Sequence, residues 1–223
     1  MSTVSKNTSP RLLAAYLNQL NKHPLRTKMI TGGVLSFLQE ILAGQLAGAP
    51  TPPLSKIHPI VAHVLSQAGV DAKAIKMAIY GFLISAPMGH VLVGLLQKAF
   101  AGRTSARAKL AQLLANNIFI APIQTTVFLA SMAVINGVRD PNTILNIIKS
   151  RFLSVIKITW VASPLTIASA QRFLAPELWV PYFNLVAFTI GTYVNMKIKK
   201  HTMAVERKAQ KAREAKDVKP RED

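Results

Sequence analysis

Apolar residues gather into long blocks along this chain, and the charges fall between them. The stretch 29–50 lies between Lys28 and Lys56 and carries one charge, Glu40. Between Lys76 and Lys98 lie 21 residues with none, and between Lys109 and Arg139 lie 29. The run 178–196 adds 19 more before Lys197. About 20 apolar residues of helix cross a hydrocarbon core ~30 Å thick. The pattern therefore predicts spans over about 29–49, 77–97, 112–136 and 178–196. A further run, 158–171, has only 14 uncharged residues. That length fits a buried or re-entrant segment better than an independent span.

Helical periodicity also appears outside these blocks. Leu12, Leu13, Tyr16, Leu17 and Leu20 recur at spacings of three and four between Pro10 and Lys22. Such a helix can lie on a membrane surface or pack against the rest of the chain. His23-Pro24 breaks it, because proline disfavours the α conformation in the residue before it. Pro50, Pro52, Pro53 and Pro59 mark a loop, with Asp71 as the N-cap of the next helix. Asp140-Pro141 reads as an N-cap followed by the first helical position. Ile144, Leu145, Ile148, Phe152, Val155 and Ile156 then share one side of an interfacial helix. The expected fold is an all-α integral membrane protein, a four-span helical bundle with additional interfacial amphipathic helices. Residues 1–9 read as a disordered start, 10–200 as the membrane domain and 201–223 as a basic cytosolic tail.

Charge sharpens this picture. The formal net charge is +18, from 27 Lys and Arg against 9 Asp and Glu. A balance of that kind points to nucleic acid or to an anionic membrane surface. Segregation of the charges between uncharged blocks favours the bilayer as partner, with no nucleic acid. With four spans, one side holds 19 Lys and Arg and the other 8. The positive-inside rule then puts both termini in the cytosol. If 158–171 also crosses, the split becomes 17 against 10, with the tail on the richer side. The N-terminus lacks a signal-peptide pattern, so insertion without a cleaved signal is expected.

Candidate chemistry is sparse. The chain has no cysteine, which rules out disulfides and thiolate ligands. His23, His58, His63, His90 and His201 show no zinc-binding spacing, and no nucleophile elbow or phosphate-binding loop is present. No catalytic residue, metal site or cofactor is predicted, and the chain is not read as an enzyme. Glu40 stands out, because a carboxylate within a span must be paired, protonated or wet. It can line a pore, or hold the bundle together with Lys28, Lys157 or His90. Pro87, Pro122 and Pro164 are expected to kink their helices. His90, one turn past Pro87, is expected to face the bundle, where it meets another helix or water. Asn116, Asn117 and Gln124 are candidates for a polar path or for interhelical hydrogen bonds. Lys197, Lys199 and Lys200 sit where they would orient the last span.

Several of these residues carry a resemblance. They are Leu20, His23, Pro24, Thr27 and Lys28, with a glycine and an acid further on; Pro87 and His90; Trp160, Pro164, Phe173 and Pro176; and the stretch Asn184 to Asn195, "NLVAFTIGTYVN". Over roughly residues 12 to 200 the chain resembles the family of small four-span proteins typified by the 22-kDa peroxisomal membrane protein and its mitochondrial inner-membrane relatives. It departs from that pattern at Ala86, at Asn116-Asn117 in place of Asp-Gln, and at Val180 in place of an arginine. The resemblance implies a channel-like protein of the peroxisomal membrane that passes small solutes. The alternatives it leaves are a scaffold or adaptor in organelle organisation and a mitochondrial inner-membrane location. It further implies a homo-oligomer and a peroxisomal membrane-protein import receptor as partners, with Lys197, Lys199 and Lys200 contributing to targeting.

Overall fold

A computed structural model describes residues 11–51, 63, 66–103, 105–174 and 178–217. The expectations for residues 1–9, for Pro52, Pro53 and Pro59, and for the tail beyond 217 lie outside the described residues. The described elements are α1 (Arg11–Lys22), α2 (Pro24–Ala47), α3 (Ala72–Tyr80), α4 (Ala86–Ala99), α5 (Ala106–Ala115), α6 (Ala121–Ile135), α7 (Pro141–Phe173) and α8 (Trp179–Asp217). Two π-helical turns join them: π1 (Gly81–Ser85) runs from α3 into α4, and π2 (Asn116–Ile120) from α5 into α6. The protein is all-α, with no strand among the described residues.

Local rules explain most boundaries. Asp71 caps α3, its carboxylate accepting from the Ala74 N–H at 2.7 Å. Asp140 caps α7 by accepting from the Thr143 N–H at 2.8 Å. Bonds from the Thr143 hydroxyl and backbone hold the Asp140 carboxyl below the usual carboxylate range. Gly48 ends α2 at φ 66°, a left-handed conformation that suits glycine. The two π turns share one cause. Each lies immediately before an Ala-Pro pair, Ala86-Pro87 or Ala121-Pro122. A proline ring clashes with the carbonyl four residues back. The wider turn, closed by Ala86 N–H to Gly81 O and Ala121 N–H to Asn116 O, makes room for it.

Among the described residues, four helical stretches are long and apolar enough to cross a membrane: Pro24–Ala47, Ala72–Ala99, Ala111–Ile135 and Pro141–Phe173. Here the structure departs from the sequence reading. Residues 158–171 are no separate short segment, and 141–157 no separate interfacial helix. Both belong to the continuous 33-residue α7, about 50 Å long at 1.5 Å per residue. Lys157 interrupts the apolar pattern but not the helix, since its side chain is exposed. Pro164 lies inside α7, and the Thr159, Thr166 and Ser169 hydroxyls donate to carbonyls three or four residues earlier. The 178–196 run begins α8, which carries on into the basic tail as far as Asp217.

Packing fixes the directions. Tyr80 meets Phe128, and Met77 and Met132 share a core cluster, so α3 and α6 run antiparallel. Ser169 bonds Tyr182 and Arg151 donates to Thr202, so α7 and α8 run antiparallel. Gln39 reaches the Ala187 and Phe188 carbonyls while Glu40 reaches Lys199, so α2 and α8 run in the same direction. The start of α2 and the tail of α8 therefore leave from opposite ends of the bundle. Leu83, Leu95, Val161, Leu165 and Leu185 are each more than half exposed on the outside. An apolar exterior of this extent belongs against lipid.

Candidate functional site: a polar cavity and a buried ion cluster

The closest helix approaches are made by glycine. Gly32 and Gly33 of α2 lie against Gly81, Ala86, Ala78 and Phe82. A Cβ at Gly81 would collide with the Gly32 carbonyl and the Ser36 side chain. Gly191 of α8 accepts the Gln39 side chain, and a Cβ there would lie 2.5 Å from Gln39 Nε2. Small residues of this kind let backbones approach where no hydrophobic force drives helices together.

Beside this seam the helices stand apart around a cavity of about 500 Å³. Ser36 and Gln39 line it from α2, Ser85 from π1, and Gln124 and Thr125 from α6. Thr159, Ser163 and Thr166 come from α7, while α8 adds mainly apolar side chains such as Phe183, Ile190 and Val194. Among the described residues, no lining residue carries a formal charge. Thr159 and Thr166 already donate to Val155 and Ala162 carbonyls, so their hydroxyls keep only acceptor capacity. The cavity can hold water or a small polar solute through side-chain hydroxyl and amide groups.

One helical turn beyond it sits a buried ion cluster. Glu40 follows Gln39, Lys73 lies four residues before Met77, and Lys199 five after Val194. Glu40 is 1% exposed, and its Oε1 lies 3.3 Å from Lys73 Nζ and 2.9 Å from Lys199 Nζ. Lys199 Nζ also donates to the Glu40 carbonyl at 3.4 Å. Among the described residues, the Glu40 Oε2 has no hydrogen-bond partner. Asn195, one turn before Lys199 and also 1% exposed, has none among them for either amide atom. An unpaired carboxylate here would be costly, and the two ammonium groups offset that cost.

These positions revise the residue-level expectations. Glu40 is ion-paired, but with Lys73 and Lys199 rather than Lys28, Lys157 or His90. Lys28 instead donates to His90 Nδ1 at 3.4 Å, where α2 crosses α4, and His90 is half-buried there. Gln124 lines the cavity and lies against Gly89. Asn116 and Asn117 open π2 and do not line the cavity. The Asn117 carbonyl accepts the Trp160 indole N–H at 2.9 Å, while its Oδ1 is buried without a partner. Pro87 and Pro122 each stand two residues past a π turn, and Pro164 is exposed on α7. Lys197 lies over the Tyr193 ring and Lys200 is exposed, but Lys199 points inward to Glu40. Sequence reasoning missed Lys73, Asn195 and the hydroxyls of α7. The four-residue spacing of Asn195 and Lys199, matched to Glu40 by the parallel course of α2 and α8, was the available signal.

Comparison with known proteins adds relatives. The sequence model of the Mpv17 / PMP22 family matches residues 133–195, from the end of α6 through α7 into α8. The chain is 48% identical over 204 residues to the Woronin body membrane protein wscA of Aspergillus fumigatus, covering 92% of this chain and 84% of that one. It is 43% identical over 196 residues to the Woronin sorting complex protein of Neurospora crassa, covering 88% of this chain and 60% of that longer relative. It is 25% identical to the peroxisomal membrane protein PMP22 of Arabidopsis thaliana, over 86% of this chain and 93% of that one. No solved structure matches.

Proposed function

The chain belongs to the Mpv17 / PMP22 family, and we propose that it is a multi-pass protein of a peroxisomal-type organelle membrane that serves in sorting Woronin bodies. The observation that carries this reading is the 48% identity to a Woronin body membrane protein, which extends over 92% of the chain. The names of the relatives favour this membrane over the mitochondrial inner membrane. Expression of this chain in Neurospora crassa lacking its Woronin sorting complex protein tests it. Restored Woronin body sorting supports the reading. A chain that reaches the membrane but leaves the defect in place contradicts it.

We further propose a membrane orientation in which α8 crosses beside α7. If α7 and α8 both cross, five crossings put the termini on opposite sides. The tail then lies on the side with 17 Lys and Arg against 10, which is the cytosolic side by the positive-inside rule. The four stretches Pro24–Ala47, Ala72–Ala99, Ala111–Ile135 and Pro141–Phe173 crossing alone would instead keep both termini on one side, the arrangement expected from the sequence. Protease treatment of sealed organelles should remove a C-terminal tag and spare an N-terminal one. Removal of both contradicts the five crossings. Lys197 and Lys200 remain available beside the exit of α8 for an import receptor, whereas Lys199 is engaged with Glu40.

A second reading is channel-like passage of small solutes, and the polar, uncharged cavity favours it. Reconstituted liposomes should release small solutes faster than empty ones. Equal rates for every solute, across pH and voltage, contradict it.

A further inference from the structure

The ion cluster has more cation than its acid needs. Two ammonium groups converge on one oxygen of one carboxylate, and the cluster carries a net charge of +1. Among the described residues the other carboxylate oxygen and both polar atoms of Asn195 have no hydrogen-bond partner, although each residue is only 1% exposed. A cluster built only to neutralise a buried acid would use both oxygens and need one lysine. Exposure is also uneven: Glu40 is sealed, while Lys73 and Lys199 keep 21% and 12% of their side-chain surface. The lysines, not the acid, can be reached from outside the cluster. Gly44, one turn beyond Glu40, leaves room for Lys199, since a Cβ there would stand 3.0 Å from its Nζ. The cluster lies one turn from a cavity of about 500 Å³ whose walls bear hydroxyls and amides and no charge. Glu40, Lys73, Asn195 and Lys199 do not themselves line that cavity, but each lies within five residues, along its own helix, of Gln39, Met77 or Val194, which do.

We propose that Lys73 and Lys199 form a binding site for a small monocarboxylate anion at the end of the cavity, and that Glu40 occupies this site as a tethered competitor. The carboxylate of Glu40 defines the ligand class, because it shows which group the two ammonium ions hold. An incoming carboxylate competes with it like for like, with the Asn195 amide as a further donor nearby on α8. Two carboxylates then face two ammonium groups, so the incoming anion takes over part of the lysines while Glu40 keeps the rest and is not left unpaired. This site stands apart from any role in Woronin body sorting.

The test uses the full chain in lipid nanodiscs at pH 7. Sodium acetate replaces sodium chloride at constant ionic strength while the melting temperature is followed. Glu40→Gln keeps the shape of the side chain and removes the competing charge. Acetate should raise its melting temperature, with half-saturation at a concentration at least tenfold lower than in the wild-type chain. Adding Lys73→Met and Lys199→Met should abolish that response. An equal response of wild type and Glu40→Gln overturns the proposal, as does a response that survives loss of both lysines. Inorganic phosphate acting through these lysines where acetate does not also overturns the monocarboxylate class. Should Glu40→Gln fail to fold, the wild-type chain decides through the line width of ¹³C-labelled acetate. Saturable broadening that Lys73→Met removes supports the site, and equal broadening in both chains overturns it.

Discussion

Two seams of the bundle are built by opposite means. Where α2 crosses π1 and α8, glycines at 32, 33, 81 and 191 bring backbone and side chains into direct contact. Around the cavity, hydroxyl and amide side chains of α2, π1, α6 and α7 face open space, while α3 meets α6 at its edge through Met77, Tyr80, Phe128 and Met132. Seen by composition, both seams are apolar helices with scattered small and polar residues. The difference lies in what each polar group touches. On the tight seam Gln39 donates to carbonyls of α8, and Glu40 holds two lysines. On the open seam the hydroxyls of Thr159 and Thr166 bond within their own helix and leave the space between helices empty of protein. Small residues close a bundle, whereas self-satisfied hydroxyls allow it to stay open.

Substitutions can break this contrast in order of expected size. Glu40→Ala leaves Lys73 and Lys199 facing each other without an anion. Loss of one side of a buried ion pair costs about 3 kcal/mol, so this variant should show the largest fall in melting temperature in nanodiscs. Gly81→Val comes next, because its side chain meets the Gly32 backbone, which cannot turn aside. Overpacking of this kind costs about 2 kcal/mol. Gly191→Val should cost less, since the Gln39 side chain opposite can move. Ser163→Phe probes the other seam. Its ring enters existing space, so the melting temperature should change by less than the Gly81 variant changes it, while any solute release from liposomes stops. A larger loss of stability than at Gly81 would mean that the cavity seam is packed.

The smallest expected effect lies outside both seams, at the cap of α7. The folded-state pKa of the Asp140 carboxyl is depressed, so its contribution is present above the unfolded carboxylate pKa and is lost as pH falls through the folded value. Asp140→Ala should lower the melting temperature slightly at neutral pH and remove that part of the acid sensitivity. An acid profile identical to wild type contradicts the capping role.

Much of the fold was legible because local rules decide it. Asp71 and Asp140 cap their helices, Pro24 starts α2, and the first three long apolar blocks form helices able to cross a membrane. The reading of 158–171 as a separate short segment differs from the structure for a physical reason. Counting uncharged residues treats Lys157 as an end, whereas a helix tolerates one exposed lysine without breaking. In the site, Glu40 was legible as a residue that needs a partner. Its partners were not, because they come from sequence distances of 33 and 159 residues. Only the parallel course of α2 and α8 brings Lys199 to it. The cavity hydroxyls of α7 were hidden for a related reason. Ser and Thr on an apolar helix carry no mark of whether they face lipid, protein or space.

The central claim is that α7 is one crossing helix with a polar face on a cavity and an apolar face on lipid. The native chain has no cysteine, so single replacements can be labelled without background. Thr159→Cys and Ser163→Cys, and separately Val161→Cys and Leu165→Cys, should be exposed in membranes to a small charged methanethiosulfonate reagent. The account predicts reaction at 159 and 163 and none at 161 and 165. Reaction at 161 and 165 with protection of 159 and 163 would contradict it.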